Sequence, residues 1–213
     1  MIEPYDWAGG REAMLRFGPG SGPVVIAALP LFEEANRMRA FAVSILRSLA
    51  ERHGIAGVLP ELPGTGESLI PSERIAISDL RAGFAAAART AGGRAYSMGI
   101  RSGALLDGSV VIRRRWHFAP QPGDALLRAL RRIHRTDHAP GYGGHRLPDT
   151  FLDELPECHA EPARTIRLEG DTRPADRLVP GRALWREPVP ENDTALAVLL
   201  AEDLAAWIRA CET

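Results

Sequence analysis

Five residues, Gly99-Ile100-Arg101-Ser102-Gly103, have the spacing of a tight turn that presents one side chain. Small residues at both ends let the neighbouring chain pack closely around a strained central position. A nucleophile at such a centre, a histidine to take its proton and an acid to orient that histidine would together make an acyl-transfer site. The residue at the centre is Arg101. Its guanidinium stays protonated and cannot attack a carbonyl. The nearest hydroxyls are Ser97, two residues before the turn, and Ser102, immediately after its centre; each also reads as an ordinary structural hydroxyl. Among the six histidines, His117 and His145 are the two whose positions could reach a crevice beside the turn, although both also suit packing roles. His134 and His138 stand four residues apart, a spacing that can hold zinc, but no third ligand is evident and no metal site is expected.

The surrounding elements alternate between two periods. Val24-Val25-Ile26-Ala27-Ala28-Leu29 is a continuous apolar run between prolines, as expected of a strand buried on both faces. From Glu33 to Arg52 the period becomes helical, with Met38, Phe41, Ile45, Leu46 and Leu49 on one face and Gly54 as the stop. Ile55–Leu59 predicts a second buried strand, and Ser78-Asp79 the cap of an alanine-rich helix reaching about Ala91. Arg94–Met98 predicts a third strand, and Val110 through Phe118 a fourth, on which Arg113-Arg114-Arg115 alternates faces. A helix from Asp124 to about Arg135 follows, then a Gly/His/Pro loop over 136–150 long enough to be a lid. Thr165–Leu168 and Ala183–Trp185 are further strand candidates, and Ala195–Cys211 is an amphipathic closing helix. Residues 7–18 read as short strands around a Gly-Gly turn. Such alternation predicts an α/β fold, a mostly parallel twisted sheet covered by helices on both faces, formed by residues 1–213 as a single domain. Ligands in such sheets bind beyond the carboxyl ends of the strands.

Three blocks carry a resemblance. They are Pro30-Leu31-Phe32-Glu33-Glu34-Ala35-Asn36-Arg37-Met38-Arg39, then Leu62-Pro63-Gly64-Thr65-Gly66-Glu67-Ser68, then Gly99–Leu106 joined to Trp116-His117-Phe118-Ala119-Pro120-Gln121-Pro122-Gly123. The chain resembles the α/β-hydrolases, and within them the type 2 hydrolases associated with the exosortase A system. The resemblance implies an α/β-hydrolase sheet with a minimal cap or none, in a bacterial cell that exports sorted surface proteins and polysaccharide. It also fixes where the remaining catalytic members are expected. The histidine belongs in the loop before the closing helix, and Arg186–Thr194 contains none. The acid belongs in the preceding loop, where Asp171 and Asp176 are available. The chain is also shortened after the turn, with only Ala104–Gly108 before the next strand.

Two uses of Arg101 follow. With the backbone N–H groups of Ser102 and of Leu31 or Phe32, where the fold keeps its oxyanion donors, the guanidinium would bind a carboxylate or phosphate ligand. Alternatively, Arg101 pairs internally with Glu34, Glu61 or Asp171 and closes the site. The expected function is a non-hydrolytic ligand- or protein-binding member of the fold, linked to exosortase systems. The alternative is an active serine hydrolase or acyltransfer enzyme acting on esters or thioesters, with its catalytic residues relocated among Ser97, Ser102, His117, His145, Asp171 and Asp176.

Composition narrows the field. The 26 basic residues are all arginine, since the 213-residue chain has no lysine, so Schiff-base and phosphate-loop lysines are excluded. A net charge of -1 gives no global basic excess of the kind nucleic-acid binding leaves. Two cysteines 53 positions apart suggest neither a disulfide framework nor a zinc site. No cofactor is expected. The N-terminus lacks the pattern of a signal peptide and no apolar run approaches a membrane span, so a cytoplasmic location is expected.

Overall fold

The computed structural model describes residues 1–136 and 141–213. Eight strands form one sheet: β1 (Ile2–Trp7), β2 (Gly10–Phe17), β3 (Pro23–Ala28), β4 (Ala56–Pro60), β5 (Arg94–Ile100), β6 (Arg115–Phe118), β7 (Arg164–Leu168) and β8 (Arg177–Val179). Their spatial order is β1-β2-β4-β3-β5-β6-β7-β8. The β1–β2 and β2–β4 pairs are antiparallel and every other pair is parallel.

Helices cover both faces because β3 and β4 are apolar at every position. On β3, Val25 and Ala27 face one cluster, and Val24, Ile26 and Ala28 the other. The first cluster lies beneath α1 (Glu33–His53) and α5 (Thr194–Glu212), which bury Phe41, Ile45, Leu200 and Leu204. The second lies beneath α2 (Ile77–Ala91), α3 (Gly123–Thr136) and the short α4 (Asp149–Glu154). Gly54 ends α1 at φ 65°, and the Asp193 carboxylate caps α5 by accepting the Leu196 N–H at 2.9 Å. Among the described residues no helix is long and apolar enough to cross a membrane.

Three expectations need correction. The segment 110–114 is not strand; Val111 is exposed there, and β6 begins only at Arg115. Arg113 and Arg114 therefore sit outside the sheet, and Arg115 alone turns inward. The last strand is Arg177–Val179, whereas Leu184–Arg186 is a single 3-10 turn that plugs Leu184 and Trp185 into the core. The alanine-rich helix starts at Ile77, and Asp79 acts from its first turn, accepting the Ala76 N–H at 2.9 Å. The turn after β5 leads into a five-residue 3-10 segment, Arg101–Leu105.

The β6–β8 edge is pinned to α5 by one buried carboxylate. Asp203 accepts from Trp116 Nε1 at 2.9 Å, Arg164 Nη2 at 2.8 Å and Arg177 Nη1 at 2.8 Å. Burial alone would raise its pKa, but the hydrogen bonds from Arg164, Trp116 and Arg177 outweigh burial and hold it at about 2. An aspartate in the unfolded chain titrates higher, so this pairing stabilises the fold fully above about pH 4 and is lost as pH falls through about 2. Thermal melts across this range should show a loss on the order of 2 kcal/mol that Asp203→Asn removes. A wild-type curve as flat as that of the variant would refute the assignment.

Candidate functional site

Arg101 stands at the apex of the turn after β5 with φ 54°, a left-handed conformation uncommon for a side chain of this size. Gly103 makes the turn possible: a Cβ there would lie 2.3 Å from the Ala28 carbonyl oxygen and 2.5 Å from that of Leu29. Arg101 is 9 % exposed, and three of its five guanidinium N–H groups have acceptors in the protein. Its Nε and Nη2 donate to the two oxygens of Glu34 at 3.1 and 3.3 Å, and Nη1 donates to the Ala119 carbonyl at 3.3 Å. Its central carbon lies 4.6 Å from the centre of the Trp185 ring, a cation–π contact. Of the three candidate internal partners, Glu34 is therefore the one that holds Arg101. Glu61 is engaged by Arg39, and Asp171 by Arg167 and Arg173.

Beside the apex, Ser102 is fully buried, and its Oγ accepts the Leu31 N–H at 2.9 Å. Leu31 is one of the two residues expected to supply an oxyanion donor. In this chain that donor is satisfied from within by the residue following the apex. Phe32 adopts φ 61° and is buried, its ring packed 5.4 Å from Phe151 and 5.4 Å from His145.

The remaining candidates fall into two other places. Ser97 on β5 and His117 on β6 meet the same carboxylate, that of Asp107: the Ser97 hydroxyl donates to Oδ2, and His117 Nε2 lies 2.9 Å from the same oxygen. The acid stands between hydroxyl and imidazole, so the ring is not placed to take the serine proton. Arg115 closes the group, donating from Nε and Nη2 to the Asp107 carbonyl at 3.1 and 2.9 Å. Motif spacing does not single out Asp107. A signal was present in the register, since Ser97 pairs with Arg115 and Gly99 with His117 on one face of the sheet, and that face needs an acid.

Asp171 and Asp176 serve the β7–β8 connection. Asp171 accepts from Arg173 at 2.9 and 2.6 Å and from Arg167 at 3.2 Å, and the hydrogen bonds from Arg173 hold its carboxyl well below the usual range. Asp176 accepts the Thr165 N–H at 2.6 Å. The loop from Val179 to α5 carries no histidine. His145 is half-buried, and burial pushes its pKa down against the opposing pull of Glu33. His134 binds the Gly141 carbonyl at 2.8 Å and stacks on Tyr142; His138, its expected companion, lies outside the described residues. Among the described residues no group of three potential ligands could hold a metal ion.

Above Arg101 opens a cleft of about 1160 Å³, floored by Arg101, Gln121 and Trp185 and walled by the first turns of α1 and the outer face of α3. A second, of about 640 Å³, meets it across the same three residues and extends over the β7–β8 loop. Both lie at the carboxyl ends of the parallel strands, where such sheets bind ligands.

The architecture matches a large group of solved structures. The fold is that of the α/β-hydrolases. A thermophilic esterase from Thermogutta terrifontis, solved with malate bound, superposes with a TM-score of 0.61 at 12 % identity, over 100 % of both chains. An α/β serine hydrolase without lid from Xanthomonas campestris gives 0.59 at 15 % identity, over 99 % of this chain and 94 % of that one. The bottromycin epimerase BotH in complex with bottromycin A2 gives 0.56 at 14 % identity, over 96 % and 98 %. No family model matches the chain, and no curated protein matches it. The likeness is one of α/β-hydrolase architecture.

Proposed function

We propose that this α/β-hydrolase-fold chain is a non-hydrolytic binding protein whose ligand sits over Arg101. The observation that carries this reading is the double substitution at the apex: a guanidinium locked to Glu34 where the attacking atom would stand, and the Ser102 hydroxyl seated on the Leu31 N–H. A protonated guanidinium offers no electron pair for attack, and a donor already bonded offers nothing to a developing oxyanion. The fold itself does not decide the matter, since one architecture hosts many functions. The resemblance in the three sequence blocks supports a cytoplasmic role beside an exosortase system in a bacterial cell, with a protein of that system as a candidate partner.

The test is direct. The protein is incubated with p-nitrophenyl acetate, p-nitrophenyl butyrate and an acyl-coenzyme A thioester, and separately with a fluorophosphonate followed by intact-mass measurement. The expected result is turnover at the buffer rate and no adduct. Turnover above buffer that disappears in Ser97→Ala or Ser102→Ala would establish relocated catalysis and end this reading.

A further inference from the structure

The cleft above Arg101 has an imbalance of charge that the apex does not use. Arg101, Arg37 and Arg128 are each paired, with Glu34, Glu33 and Asp124. Four further guanidiniums line the same cleft, those of Arg131, Arg132, Arg135 and Arg186, and among the described residues none has a carboxylate within salt-bridge distance. Among the described residues the local surplus is thus four positive charges, in a chain whose net charge is -1. Three of the four come from α3, where with Arg128 they stand at i, i+3, i+4 and i+7. At 1.5 Å of rise per residue this stripe is about 10 Å long.

The floor supplies a second, independent observation. Gln121 is 5 % exposed, and its side-chain oxygen is buried without a hydrogen-bond partner. It lines both clefts where they meet. A buried acceptor left unmet by the protein is costly unless something else supplies the donor.

Resting on the reading of this chain as a binding protein, we propose that the cleft binds a small polyol carrying two or more phosphate groups. The guanidinium fork matches phosphate in a bidentate geometry. Each phosphate monoester brings about -1.5 to -2 charges, so two of them balance the surplus. An unpaired stretch about 6 Å long on α3, with Arg186 from the loop after β8, suits phosphates held apart on a carbon frame better than one compact anion. A hydroxyl of that frame supplies the donor Gln121 lacks once the amide turns its buried oxygen out toward the cleft. A nucleobase is not favoured: Trp185, among the described residues the one aromatic side chain lining the cleft, is covered by Arg101 on one side and meets the Phe118 ring edge-on at 5.9 Å. A lipid chain is not favoured either, as Ile133 is the one large aliphatic side chain that the described residues bring to the lining.

The test is isothermal titration calorimetry at pH 7 with fructose 1,6-bisphosphate, inorganic tripolyphosphate, citrate and fructose, on the full chain. The bisphosphate should bind most tightly, and its affinity should fall as salt rises. Arg131→Gln combined with Arg135→Gln should weaken it about tenfold or more, because two charge-assisted hydrogen bonds are lost. Arg47→Gln, an exposed arginine of α1 away from the cleft, should leave it unchanged. Gln121→Leu should weaken the bisphosphate but not tripolyphosphate, with a melt confirming the fold. Citrate or tripolyphosphate binding as tightly, an equal loss in Arg47→Gln, no loss in the α3 double variant, or no binding at all would each overturn the proposal. These outcomes are separate from ester turnover. A protein that hydrolyses esters yet binds the bisphosphate loses the reading above and keeps this one.

Discussion

Replacing Asp107 by alanine is expected to cost about 3–5 kcal/mol of folding stability, more than the loss of any other side chain around the apex. The carboxylate is fully buried and takes the Ser97 hydroxyl and the His117 ring on one oxygen, while Arg115 reaches within 3.5 Å of the other. Without it, a serine that is 0 % exposed and a histidine that is 1 % exposed lose their shared partner, and neither can turn to water. The penalty is that of stranding buried polar groups, which exceeds the net worth of the bonds themselves. A domain of this size has only about 5–15 kcal/mol in hand, so the variant should unfold at a much lower urea concentration. Asp107→Asn keeps the shape and one acceptor and should cost about 1–2 kcal/mol. An alanine variant within about 1 kcal/mol of wild type would show that the group is not a structural hub.

That hub explains a feature of the backbone. In this chain the turn after β5 runs through only a 3-10 segment before Asp107, so nothing of helical length covers the sheet at that point. The ends of β5 and β6 there carry Ser97, Gly99, Arg115 and His117, too polar and too small to be sealed by apolar packing. A single buried acid resolves this, taking the hydroxyl and the ring on one carboxylate oxygen while its backbone carbonyl takes the Arg115 guanidinium. The 3-10 course of this segment leaves Ser102 close enough to the β3 loop to accept the Leu31 N–H.

The fold was legible where periodicity was strong. The apolar run of β3 and the helical stripe of α1 fall within a residue or two of their expected bounds, because burial on both faces of a strand, or on one face of a helix, leaves an unambiguous pattern. Strand β8 left none: it is three residues long, lies at the sheet edge and exposes Leu178. Leu184 and Trp185 imitate a strand better, yet they are buried by a 3-10 turn, which a short apolar run cannot distinguish from a strand. Helix α4 was hidden in a segment whose glycines and prolines read as loop. At the site, Arg101 at the apex and Glu34 as one of its candidate partners could be read from spacing alone. The Ser102–Leu31 bond could not, because it depends on the depth to which one loop settles beside another. Nor could the Asp107 group, which exists only once β5 and β6 are in register.

Arg101→Ser should not create an esterase, and it should destabilise the protein by about 2 kcal/mol. The substitution puts a hydroxyl at the apex, at a backbone position already held at φ 54°, which is the conformation that presents a nucleophile. A serine there still needs a base. His117 is bound to Asp107, His145 packs on Phe32, and the loop after β8 has no histidine. Of the oxyanion donors expected beside it, the Leu31 N–H remains on Ser102. Hydrolysis of p-nitrophenyl acetate should therefore stay at the buffer rate. The stability loss arises from Glu34, left half-covered at the cleft floor without its bidentate partner, and from the uncovered Trp185 ring. If that is its origin, Glu34→Gln in the same chain should recover part of the loss, and a double-mutant cycle between Arg101→Ala and Glu34→Ala should give a coupling of about 1–2 kcal/mol. A gain in ester turnover on introducing the serine would mean that a base and a donor stand ready at the apex after all. A coupling near zero would mean that the Arg101–Glu34 pair does not hold the apex closed.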